Sequence, residues 1–311
     1  MALIEVQGLS KFYGPYAAVR DVSFVINEGE IIGLLGLNGA GKSTILKILG
    51  SFLLPSAGRA VMDGVSVEEH SDKVREMIGY LPDRPPLYDD MRVVSYLRYV
   101  ARLKNVNKKL IDERVSDVLT KTNLLEVAWH PLVELSHGFR QRVGIAQALI
   151  HDPKVIILDE PINGLDPIQI VEMRDLILSL RGKHTVVLSS HILSEITKTC
   201  DRVLIIDRGR LVAEGQEAAL QRSQSRKMSV TMQIRGSFPH AAFSQFASMR
   251  VVSQKDQPGD VKELKIESDG DLRGELSAAV VRSGATLLEM RRDSDDLETL
   301  FMSLVRDSKP D

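Results

Sequence analysis

The sequence predicts an α/β fold for its first two thirds, followed by a second, smaller α+β domain. Over about the first 215 residues, short apolar runs typical of buried strands alternate with helical stretches. A glycine-rich segment, Gly36–Thr44, lies between one such strand and a helix. Near residue 222 the composition becomes small and polar, as at a domain boundary. Alternating strands and helices favour a parallel sheet covered by helices.

The elements of the first domain, residues 1–221, follow in chain order. Leu3–Leu9 and Val22–Asn27 alternate apolar and polar residues and predict an antiparallel pair of strands with a glycine-containing loop between them. "GEIIGLLG" is nearly all apolar and predicts a strand buried on both faces, which the helix "STILKILG" continues. "KVIILDE" and "HTVVLSSH" predict two more buried strands. "RVLIIDRGRLVAEG" predicts a hairpin around Asp207–Gly209.

Residues 87–145 are predicted to form a helical insertion in this domain, because the pattern becomes helical and more charged. The second domain, residues 222–311, shows the element order of a split βαβ, or ferredoxin-like, fold. Its predicted elements are a strand at 228–235, a helix at about 240–246, strands at 251–254 and 263–268, a helix at 271–282 and a strand at 286–291. A final helix, "DDLETLFMSLV", is expected to present one apolar face.

The totals favour a soluble protein in a reducing compartment. The chain has 311 residues and a formal net charge of −2, so no general attraction to nucleic acid is expected. A single cysteine, Cys200, cannot form an internal disulfide. The N-terminus lacks the pattern of a secretory signal, and no apolar run approaches the ~18 residues of a membrane span. Any membrane role is therefore expected to require a partner.

A phosphate-binding loop is predicted at Gly36–Thr44, "GLNGAGKST". The segment fits G-x-x-x-x-G-K-[ST] between a strand and a helix, which is the context that the motif requires. Glycines allow the backbone to curl with its N–H groups inward, and the helix N-terminus adds partial positive charge. Lys42 is expected to reach the outer phosphates, and the Ser43 hydroxyl is expected to bind Mg²⁺.

An acidic pair and a histidine follow two other predicted strands. Asp159 and Glu160 come directly after "KVIIL", at the strand end where open α/β sheets bind ligands. Asp159 is expected to hold Mg²⁺, directly or through water, and Glu160 to polarise the attacking water. His191 follows "TVVLSS" at the same sheet edge, which favours contact with a γ-phosphate. His184 precedes that strand and is interpreted as a turn residue.

These motifs, in this order, resemble the ATP-binding subunit of an ABC transporter over about residues 2–217. "LSHGFRQR" (Leu135–Arg142) resembles the family's signature motif, and "NGLD" (Asn163–Asp166) resembles its D-loop. In this family two subunits pair head to tail, and the signature of one covers the ATP held by the other. The resemblance implies that Ser136 and Gly138 bind the partner's γ-phosphate, with the helix dipole behind them. Taken alone, Ser136 also fits a simple helix N-cap.

Further roles are implied residue by residue. Tyr13, in "KFYG", matches the aromatic residue that stacks on adenine, although a strand-edge tyrosine is the alternative. Asp166 matches the D-loop aspartate that meets the partner subunit. The remaining positions of the phosphate cradle are Asn38, Gly39, Ala40, Gly41 and Thr44. ATP and Mg²⁺ are the implied ligands.

The sequence departs from the family pattern at three positions. Asp83 stands in the Q-loop, "GYLPDRPPLY", where most relatives have glutamine; an acid there is a candidate Mg²⁺ ligand. His137 replaces a signature glycine and fits only if its side chain points away from the phosphate. Phe139 replaces a hydrogen-bonding glutamine. The basic residues that follow, Arg140 and Arg142, are interpreted as solvated surface.

These variants and the C-terminal extension resemble the subunits that serve ABC-2-type exporters, and among them the gliding-motility-associated subunits. The resemblance implies an integral membrane permease as partner and a peripheral location on the inner face of the cell membrane. In the family, the Q-loop and helical region receive a short helix of the permease. Leu87, Tyr88, Met91 and Tyr96 are candidates for that surface; the alternative is that they pack internally.

The main alternative is a soluble ABC ATPase that acts on ribosomes or nucleic acid. Such proteins usually fuse two ATPase units or insert a coiled coil, and neither is visible here. A GTPase would need Asn-Lys-x-Asp after a strand, which is missing, and the signature argues against a kinase. The second domain is open to three interpretations: a dimer contact, a regulatory sensor or a packing element. The transported substance is not readable from this chain.

Overall fold

A computed structural model describes residues 1–216, 228–236 and 249–293. The chain divides into two compact units between Gln216 and Glu217. The predicted boundary at 222, the predicted helix at 240–246 and the final predicted helix lie outside the described residues.

The first unit contains an antiparallel sheet of four strands in the order β2-β1-β4-β5. Its strands are β1 (Ala2–Tyr13), β2 (Tyr16–Asn27), β4 (Ala57–Met62) and β5 (Val65–Ser66). The predicted loop between β1 and β2 is a tight turn at Gly14 and Pro15, because both strands continue to the turn despite irregular register. Strands β4 and β5 were not predicted, since β4 begins with three exposed residues and lacks a clean apolar alternation.

The second sheet of this unit has six strands in the order β10-β9-β3-β8-β7-β6. They are β3 (Ile31–Leu35), β6 (Ile78–Leu81), β7 (Val155–Leu158), β8 (Thr185–Ser190), β9 (Arg202–Asp207) and β10 (Arg210–Gly215). Five strands pair in parallel, and β10 is the antiparallel edge. The β9–β10 hairpin is as predicted, with Arg208 and Gly209 both at positive φ (46° and 78°) as a two-residue hairpin turn requires.

Seven helices of the first unit are described. They are α1 (Lys42–Leu49), α2 (Ser71–Met77), α3 (Val93–Leu103), α4 (Ile111–Lys121), α5 (His137–Leu149), α6 (Pro167–Leu178) and α7 (Leu193–Thr199). Two short 3₁₀ turns, Leu125–Val127 and Leu132–Glu134, connect α4 to α5. The predicted helical insertion therefore consists of α3, α4 and most of α5. One apolar core joins both sheets around α1.

The described part of the second unit is an antiparallel sheet in the order β12-β13-β11-β14 with one helix. The elements are β11 (Met228–Arg235), β12 (Met249–Gln257), β13 (Val261–Ser268), α8 (Arg273–Arg282) and β14 (Thr286–Asp293). Alternate residues of β11 and β13 pack against Leu276, Ala279 and Val280 of α8. This strand order agrees with the predicted split βαβ arrangement.

Within the described ranges, none of the helices has the length and apolar character that a membrane crossing requires.

Candidate functional site

The phosphate-binding loop follows β3 and turns into α1. Gly41 has φ 110°, and a Cβ there would lie 2.5 Å from the carbonyl oxygen of Ala18, so only glycine fits. The β9–β10 turn supports the loop, because the Gly209 N–H donates to the carbonyl of Ala40 at 2.8 Å. α1 begins at Lys42 without a side-chain cap, and Lys42, Ser43 and Thr44 line the space in front of the loop, as phosphate binding at a helix N-terminus requires.

Lys42 and His191 both contact the carboxylate of Glu160. The ammonium of Lys42 lies 3.3 Å from Glu160 Oε1, and His191 Nδ1 lies 2.9 Å from Glu160 Oε2. Lys42 also donates to the carbonyl of Gly36 at 2.7 Å. The structure thus brings together the three predicted catalytic residues, although any two of them are more than 30 residues apart in the sequence.

Glu160 has a strained backbone. Its φ is 50°, a left-handed conformation that costs a non-glycine residue roughly 1–2 kcal/mol. Its N–H donates to Ser189 Oγ at 2.9 Å, and the side chain is nearly buried between Lys42 and His191. Strain of this kind persists where surrounding contacts over-determine it, and it is concentrated at functional sites.

Asp159 lies beside the loop as predicted. Its Oδ1 accepts from Ser43 Oγ at 3.0 Å and from Ser189 Oγ at 2.7 Å. Burial raises the pKa of Asp159; the two serine hydrogen bonds act against this, and the nearby carboxylates of Glu160 and Asp83 add to it. A buried carboxylate whose ionised form is disfavoured gains from a nearby cation.

The donors at this position fit Mg²⁺. Ser43 offers a hydroxyl oxygen and Asp159 a carboxylate, and both are hard oxygen ligands. Asp83 is exposed and lies at the same cavity, close enough to affect the pKa of Asp159. Mg²⁺ usually takes one or two carboxylates and completes its shell with water and substrate phosphates, so a small set of protein donors is sufficient.

A cavity of about 580 Å³ opens in front of these groups. The predicted residues that line it are Tyr13, Asn38, Gly39, Ala40, Gly41, Lys42, Ser43, Thr44, Asp83, Glu160 and His191. Tyr13 is half exposed, with Lys11 Nζ 5.5 Å from its ring centroid on one side. An aromatic ring at the mouth of a phosphate site is suited to stacking on a base.

Ser136, Gly138 and Asp166 are not among the residues that line this cavity. Ser136 is exposed and caps α5, accepting from the Phe139 N–H at 3.4 Å. Asp166 is exposed and caps α6, accepting from the N–H groups of Ile168 and Gln169. Both side chains therefore have a structural role as helix caps within this chain.

Gly138 is buried because α6 packs closely against the start of α5. A Cβ at this position would lie 2.6 Å from Gln169 Oε1, so a larger residue would displace the Gln169 side chain. His137, the neighbouring departure from the family pattern, turns its ring toward the D-loop, with Nε2 3.0 Å from the carbonyl oxygen of Asn163.

One interpretation of an individual residue is wrong, and two others are refined by the structure. His184 lies in the turn before β8, as predicted, and it is also buried, with its Nδ1 2.7 Å from the carbonyl oxygen of Pro153. Arg142 is not solvated surface: it is buried and pairs with Glu172. Tyr96 had two open interpretations, a docking face or internal packing: it is 2% exposed and hydrogen-bonds to Gln147, which favours internal packing, although it also lines a second cavity together with Tyr88. In each case the residue's own helix or turn was predicted correctly. Its burial depends on a packing partner that is distant in the sequence, which a local pattern does not show.

The sequence patterns assigned no role at this cavity to three further residues, one of which, Asn163, belongs to the predicted D-loop. Ser189 bridges Asp159 and Glu160, Tyr16 donates to the carbonyl of Gly39 at 3.4 Å, and Asn163 lines the cavity. The available signal was the pair of serines that ends the otherwise apolar strand "TVVLSS". Polar residues at the carboxyl end of a buried parallel strand point to the ligand-binding edge of the sheet.

A phosphate cradle, a lysine, a buried carboxylate pair and a histidine, gathered at one edge of a mainly parallel sheet, define a P-loop nucleoside triphosphatase.

Comparison with known proteins identifies the family. The family model for ABC transporters matches residues 19–163. An uncharacterized ABC transporter ATP-binding protein, YxlF of Bacillus subtilis (strain 168), is 31% identical over 97% of this chain and 99% of its own length. The bacitracin transport ATP-binding protein BcrA of Bacillus licheniformis is 31% identical over 97% of each chain.

Solved structures support the same family. An ATP-binding subunit of an ABC transporter superposes with a TM-score of 0.65 at 31% identity, covering 71% of this chain and 92% of its own. A dimeric post-hydrolysis state of the cassette MJ0796, bound to ADP and Pi, superposes with a TM-score of 0.64 at 25% identity, covering 69% of this chain and 98% of its own. The chain belongs to the ABC transporter ATP-binding proteins and is an ATPase.

Proposed function

We propose that two copies of this chain pair head to tail, bind ATP at both contacts and use its hydrolysis to drive a separate membrane permease. The observation that carries the proposal is the division of the site. One cavity holds the loop, Lys42, Glu160 and His191, whereas Ser136 and Asp166 are exposed outside it. The dimeric cassette that this chain resembles supports completion of the site by a second copy.

In this proposal each residue of the cavity has a separate role in binding or hydrolysis. The loop N–H groups and Lys42 hold the β- and γ-phosphates, and Tyr13 stacks on adenine. Glu160 accepts a hydrogen bond from the attacking water, and the His191–Glu160 contact of 2.9 Å fixes the orientation of that carboxylate. Lys42, released from its contact with Glu160, balances the charge that develops on the phosphates.

Mg²⁺ would be held by Ser43 and Asp159, with Asp83 as a further carboxylate at the cavity. When bound, it supplies charge neutralisation at the phosphate oxygens. The protein's part is to keep Asp159 ionised and oriented, which the hydroxyls of Ser43 and Ser189 do.

The partner copy is proposed to contribute Ser136 and the backbone N–H groups at the start of α5 to the γ-phosphate. Helix N-termini bind anions through free N–H groups and the helix dipole. ATP then holds the two copies together, and loss of the γ-phosphate removes the anion on which they converge, so hydrolysis permits reopening.

The dimer is tested with Glu160→Gln, which keeps the shape of the site and removes the base. With Mg-ATP this variant is expected to elute as a dimer from a sizing column, and as a monomer without nucleotide. The matched control is Glu160→Gln combined with Ser136→Glu, which places a negative charge against the γ-phosphate and is expected to abolish the dimer. A Glu160→Gln protein that stayed monomeric with Mg-ATP would count against the head-to-tail arrangement.

A second cavity, of about 520 Å³, is the proposed docking groove for the permease. Tyr88, Tyr99 and Leu103 form part of its apolar lining, and Tyr88 is 55% exposed. The rings of Tyr88 and Tyr99 meet edge to face at 5.7 Å. Leu87 and Met91 are half-buried, so Tyr88 is the member of the predicted docking set that offers the most accessible apolar surface.

Docking is tested with Tyr88→Glu in membrane vesicles that contain the permease subunit. The variant is expected to retain ATP hydrolysis and to lose transport, because a charge in the groove must be desolvated when an apolar helix enters. Leu125→Glu is the control: Leu125 is an equally exposed apolar residue, at 58%, and does not line the groove. Normal transport by Tyr88→Glu would show that the groove is not the docking surface.

We infer that the permease is of the ABC-2 exporter type, which places this chain peripherally on the inner face of the cell membrane. Similarity to a bacitracin transport protein along nearly the whole chain, including the second unit, supports this. The closer kinship with gliding-motility-associated subunits rests on the motif variants alone and is part of the same proposal. The domain division near residue 222 and a dimer-contact or regulatory role of the second domain are proposed as well. The alternative, a soluble ABC ATPase acting on ribosomes or nucleic acid, would leave Tyr88→Glu without effect on any membrane process.

A further inference from the structure

The start of the signature helix, α5, packs against α6 along one face. Gln169 packs over Gly138, so closely that a Cβ on Gly138 would lie 2.6 Å from Gln169 Oε1. One turn further, buried Arg142 of α5 pairs with Glu172 of α6. Residues i and i+4 of α5 thus meet residues i and i+3 of α6, which are neighbours on one helix face. The two helices are therefore expected to move together at this end.

His137 adds a hydrogen bond at the tip of this contact. Its Nε2 lies 3.0 Å from the carbonyl oxygen of Asn163, and since a carbonyl only accepts, Nε2 carries the hydrogen and donates. Gly164 follows with φ 73°, and a Cβ there would lie 3.4 Å from the same ring nitrogen. The D-loop backbone thus closes directly over the His137 side chain.

Asn163 belongs at the same time to the chain's own nucleotide cavity. It is among the residues that line the cavity, and its N–H donates to the carbonyl of Glu160 at 3.1 Å. A short path therefore runs from the signature at His137, through the carbonyl of Asn163, to the backbone of Glu160. Glu160 has a left-handed backbone conformation, with φ 50°, and a shift of this backbone would move the carboxylate that it carries.

We propose that His137 is a positioning residue that couples the two ATP sites of the dimer. This inference rests on the head-to-tail dimer proposed above. In that dimer the signature of one copy serves the partner's ATP, whereas Asn163 and Glu160 of the same copy line its own nucleotide cavity. When the signature of one copy binds the partner's γ-phosphate, its movement is transmitted to Asn163 through the His137 hydrogen bond. This movement sets the position of Glu160, which belongs to the first copy's own ATP site.

The coupling depends on a side-chain donor at position 137. Glycine has no side chain to reach the Asn163 carbonyl. Glutamine has an amide N–H at comparable reach and keeps the donor without the ring. The pair His137→Gly and His137→Gln therefore separates loss of the hydrogen bond from loss of the imidazole.

The test is the ATP dependence of hydrolysis by the full chain. With two positively coupled sites the Hill coefficient lies between 1 and 2. We expect the wild-type chain to show a coefficient clearly above 1, His137→Gln to keep it, and His137→Gly to bring it close to 1. A merely structural role would alter the maximal rate or the half-saturating concentration without this change in cooperativity.

A second measurement separates this inference from the dimer itself. Glu160→Gln combined with His137→Gly is expected to elute as an ATP-bound dimer, as Glu160→Gln alone does. A trapped dimer together with wild-type cooperativity in His137→Gly would overturn the coupling role alone. Loss of the dimer only in the double variant would also overturn it, because His137 would then act on assembly. A monomeric Glu160→Gln protein would overturn the dimer and the coupling together.

Discussion

Replacement of Ser189 by alanine tests how the carboxylates of Asp159 and Glu160, with their proposed catalytic roles, are held. The Ser189 hydroxyl is fully buried at the end of β8. It donates to Asp159 Oδ1 at 2.7 Å and accepts from the N–H of Glu160 at 2.9 Å. One oxygen atom therefore orients the proposed Mg²⁺ ligand and holds the strained backbone of the proposed base.

The cost of Ser189→Ala follows from these two contacts. A hydrogen bond to a charged group contributes roughly 1.5–3 kcal/mol, and an orphaned buried N–H costs roughly 1–3 kcal/mol. Asp159 Oδ1 keeps its bond from Ser43 at 3.0 Å, so this oxygen is not left without a donor. Because one atom makes both contacts, the terms do not simply add, and we expect the free energy of unfolding to fall by about 2–4 kcal/mol.

Hydrolysis is expected to fall as well. Without the Ser189 contact the Glu160 backbone can relax from φ 50° toward an unstrained conformation. A loss of about 1.4 kcal/mol of preorganisation lowers kcat about tenfold. The fall in kcat is expected to exceed any change in the half-saturating ATP concentration, since neither contact binds the nucleotide directly.

The assay is urea unfolding followed by circular dichroism, with ATPase kinetics on the same preparations. The control is Ser190→Ala: Ser190 is equally buried on the same strand, and its hydroxyl accepts from the N–H of Ile192 at 2.9 Å. We expect the control to lose about 1 kcal/mol. If Ser189→Ala were no less stable than Ser190→Ala and hydrolysed ATP at the wild-type rate, the reasoning would be refuted.

Two further predictions concern packing and pH. Gly79→Ala is expected to cost about 3 kcal/mol of unfolding free energy, because its Cβ would lie 2.1 Å from the carbonyl oxygen of Ala148; Gly270→Ala, with nothing within 4 Å, is the control in a urea titration. Burial, with a smaller contribution from Lys104, lowers the pKa of His151 to about 4. The unfolded chain titrates near 6.5 and binds more protons between these values, so stability is expected to fall as the pH drops from about 6.5 to 4, by roughly 3 kcal/mol at most. His151→Gln should lose less over that interval, and an identical pH dependence would contradict the assignment.

Local patterns predicted the parts of the site that are contiguous in the chain. The phosphate loop needs glycines, a lysine and a helix start within nine residues, and the structure forms it from those residues. The Asp207–Gly209 turn and the buried strands β3, β7 and β8 were equally predictable. Each depends on backbone conformation or apolar runs over a few residues, which the sequence displays directly.

Exposure within the helical insertion could not be predicted in the same way. Tyr88 and Tyr96 belong to one aromatic stretch, yet Tyr88 is 55% exposed and Tyr96 is 2% exposed. The difference arises because Gln147 of α5, distant in sequence, reaches Tyr96. Arg142 is buried for the same reason, since Glu172 of α6 pairs with it.

The sequence by itself determined that this chain has a phosphate cradle, an acidic strand end, a strand-end histidine and a second helix that begins at a serine cap, because each of these is a short local pattern. The tertiary structure decided which of them meet. Strand β8 lies between β3 and β7 in the sheet, although β7 precedes it by 30 residues and β3 by more than 150, and this order places Ser189 against Asp159 and His191 against Glu160. Side chains on adjacent strands are brought together by hydrogen-bond register, and register between distant segments is set by the packing of the whole core.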